Sequence, residues 1–137
     1  MYKKEIKYTD YNDVDQVEVA YFHFNKAELM EMNVKYEGGM QAYIDRIIKT
    51  QNVKELMSLF KELVLDAYGV KSDDGKHFYK TEELRHKFEC TNAYSEFFML
   101  LATNSDEASK FINGIMPKDL VAEAAKMNKP SIEPLNK

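Results

Sequence analysis

The sequence predicts a fold of the α+β class, mainly α: an N-terminal β-hairpin followed by a bundle of about five or six short helices. Three observations predict it. Tyr2, Lys4, Ile6 and Tyr8 alternate with Lys3, Glu5 and Lys7, the period of a strand with one wet face. After Gly38-Gly39 the apolar spacing changes to threes and fours. Asn25 and Asn52 each stand three residues before a Glu, the pattern that satisfies free N–H groups at a helix start. The 137 residues, 45% of them apolar and 31% charged, suit one globular domain and exclude a second. We expect that domain to span residues 1–126, with the hairpin in 2–24 and the helical part in 26–126. Residues 127–137, with two prolines and little to bury, read as a flexible tail.

Strand one covers residues 2 to 8, and the turn-rich Thr9-Asp10-Tyr11-Asn12-Asp13 leads to strand two, Gln16 to Phe24, dense in β-branched and aromatic residues. A short helix is expected from 26 to about 33. Met40, Tyr43, Ile44, Ile47 and Ile48 form the stripe of the next helix. From Asn52, the residues Leu56, Met57, Phe60, Leu63, Val64, Ala67 and Tyr68 line one face of a longer helix, which Gly69 is expected to stop at C′. Val70 to Lys76 reads as a loop. Thr81 caps a helix containing Leu84 and Phe88; Tyr94, Phe97, Phe98 and Leu101 mark another. Ser105-Asp106-Glu107 opens a helix with Ala108, Phe111, Ile112 and Ile115, and Pro117 begins a last short one.

Charge narrows the function classes. Nineteen Lys and Arg against 23 Asp and Glu give a net charge of −4, with no basic run to follow phosphates, so nucleic acid is not an expected partner. No apolar stretch approaches the roughly 20 residues of a membrane span, and the N-terminal residues lack a signal-peptide core. A cytoplasmic location is expected, and the single cysteine, Cys90, fits a reducing compartment.

Catalytic and metal-binding patterns are sparse. His86 and Cys90 stand at i and i+4 and could face one metal, with His77 or Glu89 as a third ligand, but no Cys-x-x-Cys or His-Glu-x-x-His motif accompanies them. Asp73-Asp74-Gly75 lacks the remainder of a calcium loop and reads as a turn. Gly38-Gly39 lacks the spacing and the Lys of a phosphate loop. His23 could serve as a base, yet no partner stands at a recognisable spacing. No cofactor, metal site or enzyme activity is expected. The Met30-Glu31-Met32 stretch offers either core filling or an adaptable binding surface.

A longer pattern runs through Tyr21-Phe22-His23-Phe24-Asn25-Lys26-Ala27-Glu28-Leu29-Met30-Glu31-Met32, Gly38-Gly39-Met40 leading to Ile47-Ile48-Lys49-Thr50-Gln51, Phe60 to Gly69, Ser72 to Lys76, and Phe111-Ile112-Asn113-Gly114-Ile115-Met116-Pro117. In these phrases the chain resembles the tail assembly chaperone family of long-tailed bacteriophages and prophages of Gram-positive bacteria, over roughly residues 5 to 120. The resemblance implies a non-enzymatic protein that binds the aggregation-prone tape measure protein, helps tail-tube subunits assemble around it, and is absent from the finished virion. It also implies that a longer, frameshifted form is often made, a feature that a protein sequence does not display.

The residues are compatible with that role. An acidic helical domain with spare aromatic and methionine side chains could cover apolar segments of a helical client by helix-in-groove packing, with many copies along one client and possible self-association. The expected partner surface is the aromatic strand and first helix, at Tyr21, Phe22, Phe24, Leu29 and Met32; the alternative is that these residues seal the hairpin onto the bundle. Two further functions stay open: a structural tail or connector component of the virion, and a small metal-dependent or regulatory protein using His86 and Cys90.

Overall fold

The fold is taken from a computed structural model and is described over residues 1–116. Strands β1 (Tyr2–Thr9) and β2 (Asp15–Phe22) form the expected antiparallel hairpin, with Ile6 opposite Glu18 and Tyr2 opposite Phe22. Asp10 organises the turn: its Oδ1 accepts from the backbone N–H of Asn12 at 2.8 Å and of Val14 at 3.0 Å. Among the described residues six helices follow the hairpin: α1 (Lys26–Lys35), α2 (Gly39–Thr50), α3 (Val53–Ala67), α4 (Glu82–Glu89), α5 (Asn92–Thr103) and α6 (Ser105–Gly114). Their starts follow the local chemistry. Asn25 and Glu28 make a complete capping box, Asn52 accepts from the N–H of Glu55, and Thr81 accepts from that of Leu84. Asn104, one residue before the expected opening, caps α6. The expected helix at Pro117 and the tail 127–137 lie outside the described residues, as does the domain limit at 126.

The stretch after α3 departs from expectation. In place of a simple loop, Tyr68–Lys71 and Phe78–Tyr79 form β3 and β4, which extend the hairpin into an antiparallel sheet of order β1-β2-β3-β4. Gly69 therefore does not stop α3 in a left-handed conformation. The cap is Tyr68, whose φ of −65° and ψ of 140° turn the chain directly into a strand. Gly69 is needed for space: a Cβ there would lie 2.6 Å from Phe78 Cε2 and 2.9 Å from the Tyr79 carbonyl oxygen. Gly69→Ala is accordingly expected to destabilise the fold by about 1–3 kcal/mol, seen as a lowered denaturation midpoint. The Asp73-Asp74-Gly75 turn closes this second hairpin, with Asp74 Oδ1 accepting from the N–H of Lys76 at 3.0 Å and from Ser72 Oγ at 2.7 Å.

Helices α3, α4, α5 and α6 pack against the sheet, α5 along β1 and α6 through Glu107 and Phe111 against Tyr2. The core lies between, centred on the fully buried Phe22. Its ring stacks on Phe97 at 4.9 Å and meets the edges of Phe111, Phe88 and Tyr68 at 5.6 to 5.9 Å. Backbone bonds from His23 N–H to the Ala67 carbonyl (2.9 Å) and from Phe24 N–H to the Ile115 carbonyl (2.7 Å) tie the end of β2 to α3 and α6. The opposite face of the hairpin carries Lys3, Glu5 and Lys7 beside exposed Val17 and Val19.

Candidate functional site

Helix α3 carries more apolar surface than one packing face requires. Leu59, Leu63, Val64, Leu65 and Ala67 are buried, whereas Leu56 and Phe60 are half-buried and Val53 and Met57 are exposed. Helices α5 and α6 run beside this second face without covering it. The result is a groove of about 550 Å³ between the three helices. Its floor is Leu59, Leu63 and Leu101, and one wall is Val53, Met57 and Phe60. The other wall combines Phe98 and Ile112 with the small side chains Ala102, Ala108 and Ser109. Small residues let another backbone approach closely, and the flexible thioether of Met57 adapts to irregular apolar shapes. None of the described residues that line the groove is charged.

The five residues expected to form a partner surface separate into two groups. Phe22, Phe24 and Leu29 are interior side chains, 0%, 4% and 7% exposed. They seal the hairpin and α1 onto the bundle, since Phe22 and Phe24 share the inward parity of Ala20 on β2. Tyr21 and Met32 are half-buried and keep part of their surface. The Met30-Glu31-Met32 stretch divides in the same way, with Met30 exposed and Met32 packed against the core. The groove does not show in the sequence because Leu56, Met57, Phe60 and Ile112 fit the apolar stripes of their own helices. The available signal was the width of the α3 stripe, which exceeds one helix face.

Polar chemistry gathers elsewhere. His86 Nε2 and Cys90 Sγ face each other at 3.6 Å, but no group of three potential metal ligands occurs among the described residues. His23 packs behind β2 with its Nδ1 buried and without a hydrogen-bond partner among the described residues. Burial first, then the positive charges of the chain's N-terminal ammonium and Lys80, hold its pKa below 6.5. The folded chain thus binds fewer protons at this site than the unfolded chain, so stability falls as pH drops through the region of 6.5 and below. Acidification from about pH 7 to about pH 5.5 is expected to lower the melting temperature, and His23→Gln to weaken that dependence. Glu18 and Asp66, whose pKa values burial raises, act in the opposite sense at more acidic pH.

No helix among the described residues is long and apolar enough to cross a membrane. What the groove offers is apolar contact, the chemistry of a protein that handles other polypeptides. The chain belongs to the phage tail assembly chaperone family, whose family model matches residues 1–136. No curated protein and no solved structure matches it. Membership gives the chain a role in phage tail assembly and implies a non-enzymatic one.

Proposed function

We propose that this chain acts in the host cytoplasm as a chaperone for the tape measure protein, covering its apolar helical segments until tail-tube subunits take its place. The observation that carries this reading is the uncharged apolar groove of about 550 Å³ on α3, α5 and α6, of a size and lining that accept the apolar face of one client helix. Tyr21 and Met32, which retain partial exposure, stand in this reading as accessory contacts. The net charge of −4 keeps a partly covered client soluble. No acid–base or nucleophile constellation enters the mechanism; affinity comes from desolvating the apolar surfaces, repeated over many copies on a long client.

The test is capture of a tagged chain from cells producing the phage, with mass spectrometry of both the eluate and purified virions. The expected result is the tape measure protein in the eluate and no copy of this chain in particles. Stoichiometric retention in particles would instead establish a structural tail or connector component.

A further inference from the structure

Helix α1 is attached differently from the rest of the bundle. Of its side chains only Leu29 is buried, and Met30 and Val34 are 69% and 82% exposed. Beneath it lies a cleft of about 300 Å³ with a mixed polar and apolar lining, bounded by α3 and the start of α4. Charged contacts span that cleft. Lys80 Nζ donates to both carboxylate oxygens of Glu28 at 3.0 and 3.1 Å while lying 4.5 Å from the Phe24 ring centre. At the other end Lys35 pairs with Glu62 at 3.4 Å, and Tyr36 OH donates to the same carboxylate at 2.8 Å. The Asp66–Arg85 pair lines the body side of the cleft and does not involve α1.

Beyond α1 the chain passes through Gly38 and Gly39 at φ of +79° and +89°, two successive residues in the region where only glycine moves without strain. Burial lowers the pKa of Lys80 and outweighs the opposing attraction of Glu28, so separating the pair returns to Lys80 the water it lacks. Salt screens these ion pairs, whereas the Tyr36–Tyr43 stack at 4.3 Å and the bond from the Met40 N–H to Asn33 Oδ1 at 3.0 Å, which join α1 to α2 beside the glycines, hold the pivot end.

We propose that α1 is a salt-sensitive strap, clasped at its two ends by Lys80–Glu28 and Lys35–Glu62, that lifts on the Gly38-Gly39 hinge to expose Phe24, Leu29 and Met32. The strap accounts for a predicted partner surface lying largely inside the resting fold. Its opening is independent of the client reading above; use of the exposed surface by a client rests on that reading.

The experiment is hydrogen exchange with mass spectrometry on the full chain, first with salt raised from about 0.02 M to about 0.5 M, then with Glu28→Gln combined with Glu62→Gln. Gln at 28 retains the capping box with Asn25, so the helix itself is preserved. Both treatments are expected to speed exchange in residues 26–36 about fivefold while leaving β1, β2 and α5 unchanged. No change under either treatment overturns the proposal, as does acceleration shared equally by β1, β2 and α5. Should the double variant fail to fold, the salt series on the unaltered chain decides alone. Neither measurement involves a client, so failure here is separable from failure of the chaperone reading.

Discussion

Phe22→Ala is expected to cost about 3–5 kcal/mol, a large share of the total stability of a domain this size. The loss goes beyond one side chain's transfer from water. The Phe22 ring touches Tyr2, Tyr68, Phe88, Phe97 and Phe111, so its removal leaves a cavity lined by aromatic rings from the sheet and from α4, α5 and α6. Rigid rings on separate elements collapse poorly into such a space, which places the cost toward the upper part of the range. Urea denaturation followed by circular dichroism measures it. Val17→Ala on the same strand is the control: Val17 is 57% exposed on the uncovered face, and a change within about 0.5 kcal/mol is expected. Equal effects of the two substitutions would contradict the assignment of inner and outer faces.

The second large effect concerns binding. Met57→Glu combined with Ser109→Glu places a carboxylate on each wall of the groove at positions exposed in the folded chain. Folding should be almost unaffected, because each new charge remains in water. A docked client helix would bury both charges unpaired, and client affinity is expected to fall at least about 30-fold, or ~2 kcal/mol. The same charge at Val17 should leave affinity unchanged. Competition binding with a purified client fragment distinguishes these outcomes.

Much of the fold was legible because it is written in local chemistry. The alternation of Tyr2 to Tyr8 set the inward face of β1, and Asn25, Asn52 and Thr81 marked three helix starts through side-chain oxygens that accept from nearby N–H groups. The second hairpin was not legible in the same way. Tyr68 continues the apolar spacing of α3, and β4 is two residues long, so neither shows a strand period; their pairing depends on β2 supplying Tyr21 and Phe22 as partners for Gly69 and Tyr68. Gly69 illustrates the same limit, since its need for space comes from Phe78 across the turn.

The candidate site shows a further limit. Periodicity states that Met57 and Phe60 lie on an apolar side of α3, but whether a neighbour covers that side depends on where α5 and α6 come to rest. Phe22 and Phe24 share the parity of Ala20, and the packing of β2 on the bundle turns all three inward. Aromatic density marks the hairpin, whereas the apolar groove lies between α3, α5 and α6.

The central claim, that the α3–α5–α6 groove receives the client, is tested most directly by a photo-crosslinking side chain at position 57 in cells assembling phage tails, with position 17 on the uncovered sheet face as the comparison. The account predicts an adduct with the tape measure protein from position 57 and none from position 17. An adduct from position 17 alone, or equal adducts from both, would contradict it.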